Sequence, residues 1–171
     1  MIDIKEFDYQ SSKHLLKRFQ IIEKSYGANW FNCEDENSQY IWIIENTDNP
    51  LGFLSFKILI HPNQKDFIYI VKIYVQRQYR GENPLLVNKE RVSQILFRQI
   101  ESKGVNILTL ESADEKLDAY YEQQGFKYNE DISNFFAPVI GTNDKVVVKF
   151  LHREIIDEDL LKKFGKQDGI C

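Results

Sequence analysis

The stretch Ile70–Lys103 reads IVKIYVQRQYRGENPLLVNKERVSQILFRQIESK, and its interpretation decides the fold. Ile70, Val71, Ile73 and Val75, with Tyr74 beside them, are β-branched or aromatic and predict a buried strand. Asn83 followed by Pro84 predicts a helix start, because Asn is a favoured cap and Pro is pre-organised for the first helical position. Leu85, Val92, Ile95, Leu96 and Ile100 then supply apolar positions, and Gly104 is a stop signal. A strand that feeds a helix N-terminus through a tight turn gathers backbone N–H groups and a partial positive charge at one point, which suits a phosphate.

Charge distribution agrees with that turn. From Lys72 to Lys103 seven Lys/Arg face three acids, whereas Ser25–Phe56 holds five acids and no Lys or Arg. An anionic ligand at the turn and a neutral or cationic second substrate fit this asymmetry, as do two solvated surfaces. The net charge of -4 speaks against general nucleic-acid binding.

Outward from the central stretch, Met1–Tyr9 alternates and predicts a strand. Ser11 and Ser12 are cap candidates for a helix with Leu15, Leu16, Phe19, Ile21 and Ile22, ended by Gly27. Residues 28–39, with Trp30, Phe31 and the acids Glu34, Asp35 and Glu36, predict a loop with room for a short helix. Tyr40–Glu45 and Leu51–Ile60 form a hairpin across NTDNP, and HPNQKD at 61–66 turns the chain into Phe67–Val75. Beyond Gly104 come a strand at Val105–Leu110, a helix at Asp114–Gln124 closed by Gly125, and a strand beginning at Phe126–Tyr128. Asn129–Lys145 predicts a loop, Val146–Leu151 a last strand, and the tail from His152 a short helix at an edge. The fold class is therefore α/β (α+β): a mixed, mostly antiparallel twisted sheet of six to seven strands with helices on both faces.

The 171 residues, 43% apolar and 28% charged, predict one ordered domain over 1–171. Cys33 and Cys171 form no disulfide framework, and no metal-ligand spacing is present. A charged N-terminus and the lack of a long apolar run predict neither signal peptide nor membrane span, and hence a cytoplasmic setting.

Two segments carry a resemblance. YIVKIYVQRQYRG resembles the acyl-CoA-binding strand and turn of the GNAT N-acetyltransferase superfamily, and ESADEKLDAYYEQQGFKY resembles its second hallmark, a capped helix with a Tyr-Glu pair followed by Gly-Phe. The resemblance spans about residues 67–128. It implies acetyl-CoA as co-substrate, with no metal, and a primary amine of a small molecule or peptide as acceptor; it also allows a homodimer. By the resemblance, Ile73 and Val75 bind the pantetheine arm and Arg80, Gly81, Glu82, Asn83 and Leu85 form the pyrophosphate turn. That turn normally reads Gln or Arg, two residues, Gly, one residue, then Gly or Ala. Asn83 and Leu85 replace the small residues, and Pro84 removes an N–H, so the phosphate grip departs from the family pattern.

The resemblance further implies that Tyr121 is the acid that reprotonates the leaving thiolate and that Asp114 contacts the cofactor arm. The usual acid on the strand before the turn is missing, since Tyr69, Val71 and Lys72 occupy those places. Glu111 is the candidate base, and the acidic segment around Trp30 and Phe31 lies where the family builds its acceptor site. No cysteine lies near either hallmark, which favours direct transfer over a covalent acyl-enzyme. A member that keeps the fold without the chemistry, serving as a ligand sensor or interaction module, is the alternative.

Overall fold

In the computed structural model, residues 1–24, 36–63, 65–112 and 114–151 are described. In chain order they form β1 (Ile2–Phe7), α1 (Tyr9–Lys24), β2 (Gln39–Glu45), β3 (Asn49–Ile60), β4 (Asp66–Val75), α2 (Val92–Glu101), β5 (Ile107–Glu111), α3 (Asp118–Gln123), α4 (Glu130–Ile140) and β6 (Val146–Phe150). The six strands follow one another in the order β1-β2-β3-β4-β5-β6. β1 and β2 pair antiparallel from Ile2↔Glu45 to Phe7↔Tyr40, and β2 pairs antiparallel with β3 across a bulge at Ile43/Ile44. β4 and β5 pair in parallel over Ile68–Ile70 and Leu108–Leu110, and β5 pairs antiparallel with β6. The expected mixed, mostly antiparallel α/β sheet is thus present. No helix among the described residues is long and apolar enough to cross a membrane.

The chain divides into two compact units, Met1–Lys57 with Val71–Lys103, and Ile58–Ile70 with Gly104–Cys171. In the first, Glu45 pairs with Asn49 across a three-residue turn, residues 46–48, in which Asn46 and Thr47 adopt positive φ. Leu15, Leu16 and Phe19 of α1 cover Tyr40, Trp42, Ile44 and Phe53. The wholly buried Trp42 donates its Nε1–H to Ser12 Oγ at 2.9 Å. Strand alternation sends Ile41 and Ile43 to the opposite face. There Gly52, paired with Ile43, lets α2 approach: a Cβ on Gly52 would lie 3.0 Å from Val92 Cγ1 and 2.8 Å from the Tyr74 carbonyl oxygen. Helices therefore cover both faces of this part of the sheet, as expected.

In the second unit, Ile132, Phe135 and Phe136 of α4 pack on Phe67, Ile107, Val146 and Val148. Each such fully buried side chain contributes roughly 1.5–3 kcal/mol of transfer free energy. His61 stacks on Phe135 with centroids 3.7 Å apart, and its Nε2 lies 3.1 Å from the Phe135 carbonyl. Ser133 Oγ accepts the Val146 N–H at 2.9 Å and joins helix to strand.

Three local expectations change. The expected loop over Asn129–Lys145 contains α4: Asn129 Oδ1 accepts from the N–H groups of Asp131 and Ile132, and Gly141 ends the helix at φ 88°. Pro138 lies in the last turn of α4 and leaves the carbonyl of the exposed Asn134 without its usual N–H partner four residues on. The first helix is capped by Asp8, whose Oδ1 accepts from the Ser11 N–H at 2.8 Å, which frees Ser12 to serve Trp42 inside the core. The strand expected at Phe126–Tyr128 reduces to one bridge, Lys127↔Val148. The predicted tail helix and Gly27 lie outside the described residues.

Candidate active site

The turn after β4 is built on a buried glutamine. Gln76 donates its backbone N–H to the Leu51 carbonyl at 2.8 Å, and its Nε2 to Pro50 O at 2.7 Å and Asn49 Oδ1 at 2.9 Å, which fixes the end of β4 to the start of β3. On β4 itself Ile73 is half-buried and Val75 buried. The parallel ladder with β5 covers Ile68–Ile70, and β4 continues to Val75. A 3-10 turn, Arg77–Tyr79, follows.

Here the sequence reading missed a residue. Glu23, 1% exposed on α1, accepts the Arg77 N–H at 3.2 Å and lies 3.4 Å from the Arg80 guanidinium. A carboxylate sealed from water needs donors of this kind. The signal was available: Ser12, Leu16, Phe19 and Glu23 fall on one inward stripe of α1, where an acid is out of place. Arg80, expected at a phosphate, thus also carries an internal anion.

The rest of the turn departs from expectation. Gly81 sits at φ 87° with open space where a side chain would be, and its carbonyl accepts from Arg91 Nη1 at 2.9 Å. Glu82 and Asn83 are exposed, as is Leu85, whose N–H donates to the Gln78 carbonyl at 2.7 Å. No helix begins at Asn83–Pro84. The chain forms a tight hairpin closed by Val87↔Glu90, with Asn88 and Lys89 at positive φ, and α2 starts at Val92. The Arg91 N–H at that start donates to Gln94 Oε1 at 3.2 Å. The reason is periodicity: a helix from Leu85 would need apolar residues one turn on, and Asn88 and Lys89 stand there, so the stripe that can be buried begins at Val92.

The second unit holds the residues expected to do the chemistry. Asp114 caps the 3-10 turn Glu115–Leu117, its Oδ1 accepting the Lys116 N–H at 3.0 Å. Tyr121 on α3 is half-buried, its ring edge-on to Phe126 at 6.4 Å and tilted to Tyr120 at 5.7 Å. Its carbonyl accepts the Phe126 N–H at 3.0 Å across Gly125, which sits at φ 97° and for which a Cβ would press on Lys149. Burial, then the neighbouring Tyr120, Asp114 and Asp118, raise the Tyr121 phenol above its usual range, so it keeps its proton at neutral pH. Glu111, at the end of β5, accepts a hydrogen bond from Tyr69 OH at 2.8 Å. Tyr69, noted in the sequence as lacking the expected acid, thus holds one. Of the acidic acceptor segment, Glu36 is exposed and Trp30, Phe31, Glu34 and Asp35 lie outside the described residues.

The family model described as the GNAT acetyltransferase family matches residues 5–126. The chain belongs to the GNAT family. Both hallmark segments lie within that match or at its edge. A GNAT-family acetyltransferase from Staphylococcus aureus Mu50 superposes with a TM-score of 0.59 at 17% identity, over 89% of this chain and 100% of that one. The NatC complex bound to Gag peptide and CoA gives 0.53 at 16% identity, over 88% and 99%. An aminoglycoside acetyltransferase from an uncultured soil metagenomic sample, in complex with sisomicin, gives 0.51 at 13%, over 72% and 84%. At these identities the likeness shows the GNAT fold. No curated protein sequence matches significantly.

Proposed function

We propose that the protein is an N-acetyltransferase that moves the acetyl group of acetyl-CoA directly to a primary amine. What supports the proposal is Tyr121: by the resemblance it matches the tyrosine of the second GNAT hallmark, and it lies on a helix closed by a left-handed Gly125, its phenol pushed above the usual range. A protonated phenol supplies the proton that a departing thiolate needs. Glu111, oriented by Tyr69, takes the ammonium proton directly or through water. Acetyl-CoA supplies the activated acyl group. Ile73 and Val75 would receive its pantetheine arm, Asp114 would contact it, and Arg80, Gly81, Glu82, Asn83 and Leu85 would form the turn at its phosphates. Open space at Gly81 and the neighbouring Arg77 and Arg80 fit an anion there; Pro84 and the Glu23 contact weaken the fit.

The acceptor is a small-molecule or peptide amine, since solved GNAT relatives of both kinds share the fold, one in complex with sisomicin and one bound to Gag peptide and CoA. A cytoplasmic location and a homodimer complete the reading. Calorimetric titration with acetyl-CoA tests it: saturable binding in the micromolar range, with turnover on a panel of aminoglycosides, polyamines and peptides lost in Tyr121→Phe, is the expected result. No binding at high micromolar acetyl-CoA refutes it. That outcome favours the second reading, a GNAT-fold sensor or interaction module, which the Glu23-engaged Arg80 and the rebuilt 81–91 turn support.

A further inference from the structure

The mechanism leaves unused one cluster of charged and hydroxyl groups in the second unit. Asp118, the first residue of α3, uses both carboxylate oxygens: Oδ1 accepts from the Ser112 hydroxyl, and Oδ2 accepts from Lys145 Nζ at 2.7 Å. Ser112 follows β5 and is buried at 6% exposure, and its N–H donates to the Lys145 carbonyl at 2.8 Å, so the side-chain and main-chain bonds close a ring. Lys145, just before β6, also rests over the Tyr128 ring at 5.2 Å. Three separate pieces of chain, the end of β5, the start of β6 and the start of α3, therefore meet at one carboxylate.

We infer that the Ser112–Asp118–Lys145 cluster is a positioning device for Tyr121. It rests on the reading of Tyr121 as the acid. Asp118 and Tyr121 are three residues apart on α3 and so share one side of the helix. A six-residue helix has too few internal bonds to fix its own rotation. Anchoring Asp118 at two oxygens fixes that rotation and, one turn on, the direction of the phenol; the Phe126 N–H bond to the Tyr121 carbonyl fixes the other end. Ser112 serves the cluster as a hydrogen-bond donor. Its hydroxyl proton points to a carboxylate held anionic, because the Lys145 hydrogen bond and then the Ser112 one keep Asp118 below the usual range, while Asp118 holds Lys145 above its own.

The cluster also gives Tyr121 a defined electrostatic neighbour. The charged or titratable groups around the phenol are Asp118 on the same helix face, Asp114 from the preceding turn and the adjacent Tyr120; Asp118, Glu115 and Tyr128 in turn surround Lys145. Deleting the carboxylate or the ammonium breaks the same contact but changes the local charge in opposite senses. Incorporation of 3-fluorotyrosine at position 121 of the full chain, read by fluorine NMR, follows the phenol alone. In Asp118→Asn the phenol is expected to titrate at lower pH, and in Lys145→Met at higher pH. Turnover of acetyl-CoA with the amine of the panel that reacts is expected to fall about tenfold or more in kcat in both, with acetyl-CoA affinity unchanged, as displacement of a reacting group produces. A shift of the same sign in both variants, or none, overturns the inference, as does unchanged kcat. If Tyr121→Phe retains full turnover, the acid reading fails instead, and the opposed titration shifts still decide whether the cluster governs the phenol. Thermal melts of each variant identify one that has merely unfolded.

Discussion

Replacing Arg80 by methionine separates its contact with Glu23 from its proposed contact with the cofactor phosphates. Glu23 has a side-chain exposure of 2%, whereas that of Arg80 is 43% and the contact is 3.4 Å. Removing one partner of a fully buried ion pair costs about 3–5 kcal/mol, since the other charge stays dry and uncompensated. Water reaches nearly half of the arginine, and Arg77 still donates its N–H to Glu23, so the expected loss is about 1.5–2.5 kcal/mol. For a chain of this size that is roughly 3–10 °C in Tm. Glu23→Gln keeps an oxygen for the Arg77 N–H and removes the charge, so it costs less than about 1 kcal/mol, and the double variant recovers part of the Arg80→Met loss, with a coupling of about 1 kcal/mol. Urea unfolding followed by tryptophan fluorescence and circular dichroism gives the four free energies of the cycle. Additive effects, or an Arg80→Met change under about 0.5 kcal/mol, refute the claim that this arginine carries the buried carboxylate. Acetyl-CoA titration of the same proteins reports the other role: Arg80→Met weakens binding beyond any stability change if the guanidinium also meets the phosphates.

Ser12→Ala strips the buried Trp42 Nε1–H of its acceptor and should cost about 1–3 kcal/mol in denaturant unfolding; a cost near zero shows that the bond carries no weight. Gly125→Ala forces a side chain to φ 97° and against Lys149 Cε at 3.0 Å, so a loss of about 1–3 kcal/mol is expected in thermal melts, and an unchanged melt contradicts it. For pH, the folded Asp118 is depressed, so its stabilising contribution is complete above about pH 4 and disappears as pH falls through the lower folded value. Asp118→Asn should therefore flatten the acid limb of a Tm-against-pH curve, and an unaltered limb argues against the pairing. Tyr121 has the opposite sign: its raised phenol favours the folded state up to about pH 10, with the advantage lost as pH rises through the folded value, and Tyr121→Phe should reduce that alkaline fall.

Much of the architecture was legible because it is local. Alternation at Ile2–Phe7, the aromatic and β-branched run Tyr40–Glu45 and the NTDNP turn needed no distant partner to be read as strands and a hairpin. Gly125 was read as a stop and adopts a left-handed conformation that few other residues would take. The α4 signals, Asn129, Ile132, Phe135 and Phe136, were also present, but Pro138 and the polar flanks outweighed them. At Asn83–Pro84 the local signal was misleading: cap and proline were both correct in kind, and the lack of an apolar turn at Asn88–Lys89 overruled them.

By itself, then, the sequence determined the order of most elements and the hallmark that marks the family, because hydrophobic period and turn chemistry act between near neighbours. Only tertiary structure decided how the candidate site is held. Arg80 meets Glu23 across 57 residues, Tyr69 meets Glu111 across 42, and Lys145 meets Asp118 across 27. Nothing in the residues between them encodes those pairings. They exist because buried or half-buried charges and hydroxyls must find partners among whatever groups the folded sheet brings near.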